Sequence, residues 1–173
     1  VTLTTNARIG AAKQAGTITD NNNGTFTVPF TFTIENLGDV DLYDVQVIDS
    51  LTAEFGTYQA VLANVDSAGE YTVGTVSVTD TTPGTALAAN TSYTGSGVNT
   101  GLLTVSSAAA LEVGRTVTMS FSLTFYPNFA NAPFTNQATA RGDRPDAGGD
   151  GNGTSDGDTT DTSTSGTDPD PGG

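Results

Sequence analysis

From Thr25 to Asn36 the chain reads TFTVPFTFTIEN, with Phe26, Val28, Phe30, Phe32 and Ile34 on one parity and Thr25, Thr27, Thr31, Thr33 and Glu35 on the other. A period of two held over that length predicts a strand with one face in a core and the other in water. Pro29 falls on the polar parity and has no N–H to give a ladder, so an edge position or a bulge is expected. The same alternation returns at Val113 to Tyr126, where Val117, Met119, Phe121, Leu123 and Phe125 share a face. Weaker versions predict strands at Ile9 to Gln14, Leu42 to Asp49, Tyr58 to Leu62, Tyr71 to Thr79 and Asn136 to Arg141.

Between these stretches lie turn signals. Asp20 to Gly24 (DNNNG) and Leu37 to Asp41 (LGDVD) carry the Asn, Asp and Gly residues that tolerate positive φ. Ser50 to Phe55 reads as a single helical turn capped by Asp49 or Ser50, with Glu54 behind the cap. Pro83 to Leu102 reads as a long loop region, the place on the body for a variable binding surface. Short strands separated by turns, with no long helix, predict an all-β fold: an antiparallel Greek-key, immunoglobulin-like sandwich. The expected organisation is a lead-in over residues 1–6, a sandwich over residues 7–141 and an acidic segment over residues 142–173.

That last segment changes the picture. Residues 142–173 hold eight aspartates and no aliphatic or aromatic residue except Ala147. So little apolar surface cannot offset the entropy of ordering the segment by burial. Asp, Asn and Thr oxygens spaced by Gly are the ligand chemistry of a hard cation, which points to Ca²⁺. Asp150, Asn152, Thr154, Asp156, Asp158 and Asp161 follow the spacing of an EF-hand loop. Ser155 stands where that loop needs Gly, and Asp161 where it has Glu, so an EF-hand is not assigned. The looser expectation is that Asp143, Asp146, Asp150, Asn152, Asp156, Asp158, Asp161, Asp168 and Asp170 include the ligands of one or more Ca²⁺ sites; a solvated acidic linker is the competing reading.

Nineteen acidic residues against five basic ones give a formal charge of −14. Such a surface repels phosphate backbones and anionic bilayers, so nucleic-acid binding and membrane insertion are not expected. The chain has no Cys, His or Trp, which removes thiol and imidazole chemistry and argues against an enzyme. An acidic chain rich in Thr, Asn, Asp and Gly suits a bacterial exterior, where calcium fills weak sites.

Lys13, the only lysine, lies on the first expected strand, and Asn136 begins the last. In some bacterial surface sandwiches a Lys and an Asn so placed condense into an intramolecular isopeptide, assisted by a buried carboxylate; a resemblance to these makes Glu35 the candidate carboxylate here. A lysine snorkelling from an edge strand is the alternative.

ARIGAAKQAG (7–16), NNNGTFTVPFTFTIENLGDVDLYDVQVIDSLTAEFG (21–56), NQATARG (136–142) and TSGTDPDP (164–171) occur in that order. Together they resemble the tandem-repeat β-sandwich domains of very large bacterial cell-surface proteins, with their Asp-rich DPDP joints. The resemblance implies a secreted, calcium-associated stalk or filament module that meets copies of itself or neighbouring repeats end to end. An adhesin module holding a glycan or protein ligand through its body loops is the alternative.

Overall fold

The computed structural model describes residues 5–80, 86–145 and 159–170. Among these residues thirteen strands carry most of the order: β1 (Ile9–Ala15), β2 (Thr19–Asp20), β3 (Phe26–Asn36), β4 (Tyr43–Ile48), β5 (Thr57–Tyr58), β6 (Glu70–Val73), β7 (Ser77–Thr79), β8 (Ala88–Ala89), β9 (Leu103–Thr104), β10 (Thr116–Tyr126), β11 (Thr139–Asp143), β12 (Thr159–Thr162) and β13 (Thr164–Ser165). Among the described residues the only α-helix is the turn α1 (Thr52–Phe55). The fold is all-β.

The large sheet runs β13-β1-β3-β10-β6-β5, with β2 also on β3 and β7 also on β10. A three-stranded sheet runs β12-β11-β4, and β8 pairs with β9. The inward residues of β3 and β10 join Val45 and Val47 of β4 and Ala138 and Ala140 beside and within β11 in one apolar cluster. Two sheets over a shared core are consistent with a sandwich. The alternation in β3 and β10 is realised as expected: Val28, Phe30, Phe32 and Ile34 are buried with Val117, Met119, Phe121, Leu123 and Phe125. Phe32 stacks on Phe121 at 5.6 Å.

Several elements depart from expectation. Pro29 lies on a central strand, neither at an edge nor in a bulge, because its carbonyl accepts from Gly16 N (2.8 Å) just where the chain leaves β1. A residue's N–H and C=O share a side of its strand, so the missing donor faces Gly16, where β1 has ended and the chain is exposed, and the Gly16 carbonyl is left to water. The stretch Tyr71 to Thr79 is two strands, β6 and β7, interrupted at Gly74, whose amide still reaches Ser122 O (2.8 Å). Tyr58 to Leu62 forms only the end of β5 before a 3₁₀ turn at Leu62–Asn64. In the 83–102 region, of which 86–102 is described, Leu87, Tyr93 and Leu102 are buried. That part folds onto the body. The turn α1 has Leu51 at its N-cap and no side-chain cap, so Asp49 and Ser50 do not cap it.

The acidic segment contributes strands of its own. β12 pairs antiparallel with β11, and β13 runs parallel to β1, with Ala12 opposite Thr164 and Lys13 opposite Ser165. Residues 159–170 therefore cross from the small sheet to the edge of the large one.

A lysine, an aspartate and an asparagine at the end of the core

β1 lies antiparallel to β3 with Lys13 opposite Phe32. Directly opposed residues put their side chains on the same face, and Phe32 faces the core, so Lys13 does too. Ile9, Ala11 and Lys13 share one parity of β1, and all three are buried. The Lys13 ammonium stands 4.4 Å from the ring centre of Phe30 and 4.9 Å from that of Phe32, a cation–π setting on two faces.

Asp49 follows β4 on the inward parity of Val45 and Val47. Its amide is held by Thr100 O (2.8 Å). Lys13 Nζ is 3.0 Å from Asp49 Oδ2, and the two side chains are 4% and 0% exposed. Asn136 sits just before β11, on the parity of Ala138 and Ala140. The pairing of Ile48 with Thr139 brings this entry to β11 level with the end of β4. Asn136 Nδ2 donates to Asp49 Oδ1 (2.9 Å). One carboxylate thus holds the lysine amine on one oxygen and the asparagine amide on the other.

Tyr93 closes the far side. It is buried against Phe121, and its hydroxyl lies 3.3 Å from both Asp49 Oδ2 and the Asp49 carbonyl oxygen. Burial, reinforced by the neighbouring Asp49 charge, pushes the Tyr93 hydroxyl well above the ordinary tyrosine range, so it remains a neutral donor. Burial lowers Lys13 below its ordinary 10.5, and Asp49 opposes the shift by charge and hydrogen bond. The amine is therefore more easily deprotonated than an exposed lysine, which a lysine nucleophile requires. A partly open cavity of about 600 Å³, lined among others by Lys13, Phe30, Phe134, Asn136 and Ser163, adjoins the pair.

Glu35, the carboxylate expected beside Lys13, lies opposite Gly10 on β3, on the parity facing away from the core; Asp49 holds that place. A second buried ion pair, Arg115 with Asp80, offers no comparable nucleophile, since a guanidinium stays protonated.

The aspartates expected to bind Ca²⁺ divide. Asp146, Asp150, Asn152, Asp156 and Asp158 lie outside the described residues. Of the other four, Asp161 Oδ2 accepts from Ala11 N (2.8 Å) and Asp170 pairs with Arg8 (2.9 Å). Asp168 Oδ1 accepts from Asp170 N (3.0 Å), and Asp143 lies on β11 opposite Tyr43. Among the described residues no group of three or more acidic side chains is placed to share a metal ion.

No protein-family model matches the chain, and no curated protein matches it.

Proposed function

We propose that this chain is a structural module of an extracellular bacterial stalk or filament, an immunoglobulin-like Greek-key sandwich that locks itself with an isopeptide bond between Lys13 and Asn136. The observation that carries this is one buried carboxylate, that of Asp49, bonded to both reaction partners. The Lys13 ammonium passes one proton to Asp49 Oδ2, and the freed Nζ lone pair attacks Asn136 Cγ. As the new C–N bond forms, Nζ sheds a second proton. Through Asp49 both protons reach Asn136 Nδ2, the old C–N bond breaks, and ammonium departs by the adjoining cavity. Asp49 ends as it began, a shuttle between the atom that loses protons and the atom that gains them. The chain acts once, on itself, so it is not an enzyme with an external substrate.

The cysteine-free acidic composition and the likeness of the motifs to tandem surface domains support a load-bearing role outside the cell. Ca²⁺ binding, if it stiffens the joints, draws on the remaining candidates Asp143, Asp146, Asp150, Asn152, Asp156, Asp158 and Asp168, because Asp161 and Asp170 are engaged with β1 and Arg8. Lys13 and Asn136 stand 123 positions apart, so the bond lets force bypass nearly the whole body. Single-molecule pulling from the two ends tests this. The Asn136→Ala chain is expected to show an unfolding step of about 400 Å, the reach of those residues at roughly 3.3–3.6 Å each. The parent chain is expected to lack that step, and the same step in both chains would contradict the load-bearing role.

A further inference from the structure

Residues 159–170 touch β1 along almost its whole length. Ile9 N donates to Thr159 Oγ1 (3.2 Å) and Ala11 N to Asp161 Oδ2 (2.8 Å). β13 then takes over as a backbone partner opposite Ala12 and Lys13, and Gly166 N donates to Lys13 O (3.0 Å). Beyond that, Arg8 pairs with Asp170 (2.9 Å). The same segment is fastened to the entry of β11. Ser163 N donates to Ala138 O (2.8 Å), Ala138 N donates to Ser163 Oγ (3.0 Å), and Gln137 Nε2 reaches Ser163 O (3.3 Å). Ser163, where the chain passes from one sheet to the other, is 3% exposed.

Lys13 and Asn136 therefore sit on two pieces of chain, in different sheets, that one strap grips on both sides. We infer that residues 159–170 form a positioning strap for the crosslink: Asp161 and Ser163 set the spacing between β1 and the start of β11, and the Lys13–Asn136 bond forms only after the strap has docked. This rests on the crosslinking chemistry proposed above. Edge-strand addition supplies the docking energy through main-chain pairs, with Thr, Asp and Ser side chains standing in where the backbone pairs do not reach. In chain order Lys13 comes first, Asn136 follows and the strap comes last. The irreversible step thereby waits for residues 159–170, and a chain cut short of residue 159 is not locked. Asp161 and Ser163 touch neither reacting atom; they act through the strands that carry Lys13 and Asn136.

The test follows ammonia loss by intact mass at fixed times after cell-free synthesis of the full chain, for the parent, Asp161→Ala/Ser163→Ala and Asp161→Asn. The double variant is expected to crosslink at least ten times more slowly than the parent. Asp161→Asn, which keeps an oxygen for Ala11 N, is expected to stay within about twofold of the parent, a rescue that general weakening of the fold would not produce. Crosslinking of the double variant at the parent's rate overturns the strap and leaves the crosslink standing. No mass loss in the parent overturns both. If the double variant lacks a cooperative melt, Arg8→Ala replaces it, since it removes only the half-exposed pair with Asp170. A two- to threefold slower reaction is then expected, and an unchanged rate overturns the inference.

Discussion

The Asn136→Ala chain is expected to melt about 10–20 °C below the parent chain in thermal denaturation followed by circular dichroism. A bond from position 13 to position 136 closes a loop of more than a hundred residues. By the chain-entropy reckoning used for disulfides, such a closure removes about 5 kcal/mol of freedom from the unfolded state. For a domain of this size each kcal/mol moves the midpoint by roughly 2–4 °C. The side chain's noncovalent part is small by comparison. Its bond to Asp49 is one hydrogen bond to a charged group, worth about 1.5–3 kcal/mol, and the amide is only half-buried. A fall of just a few degrees would mean that Asn136 contributes that hydrogen bond and no covalent link.

Asp49→Ala should do more damage than Asn136→Ala. It stops the proton shuttle, so no bond forms, and it strips the counter-ion from a lysine that is almost wholly buried. Breaking a buried pair on one side costs about 3–5 kcal/mol, because the remaining charge is left in a poor solvent. The Lys13→Met/Asp49→Ala chain should recover much of that cost without regaining the crosslink, since no charge is then stranded.

The pH dependence separates the two effects. Lys13 in the folded chain titrates below its ordinary 10.5, chiefly through burial, and Asp49→Ala removes the two influences that hold it up. Between the lowered folded value and 10.5 the unfolded chain binds more protons than the folded one. Stability of the Asp49→Ala chain therefore rises with pH across that window. Above pH 10 the gain is opposed by Tyr93, which burial holds above its ordinary value: there the unfolded chain releases a proton that the folded chain keeps, so this contribution falls as pH rises. Urea midpoints from pH 7 to pH 10 check this. A flat profile would show that Lys13 is not buried as a charge in that variant.

Much of this site was written in strand parity. Ile9, Ala11 and Lys13 alternate together, as do Val45, Val47 and Asp49, and again Asn136, Ala138 and Ala140. A polar residue that continues an inward apolar series at the end of a strand is the signal for a buried polar partner. Lys13 and Asn136 were singled out by their places on the first and last expected strands, and parity adds that both turn inward. Asp49 was not, because an Asp just before a short helical turn is also the pattern of an N-cap; only the register of β4 against β11 turns it toward Lys13. The long strands β3 and β10 were plain because ten or more residues of alternation leave one solution.

The strap was illegible for a different reason. Thr159–Thr162 and Thr164–Ser165 bury no apolar face, so hydrophobic periodicity is silent about them. Their place is set by main-chain pairing and by Asp161 and Ser163 serving backbone donors. Read by composition, such a segment looks like a solvated linker or a cation site.

The most direct measurement is the intact mass of the purified chain, with proteolytic mapping of the peptides that contain Lys13 and Asn136. Self-crosslinking predicts a mass about 17 Da below that of the sequence, the ammonia lost when the amine displaces the amide, and a branched peptide joining positions 13 and 136. It also predicts the full sequence mass in the Lys13→Met and Asn136→Ala chains. A parent chain at its full sequence mass, with the two peptides released separately, would contradict it.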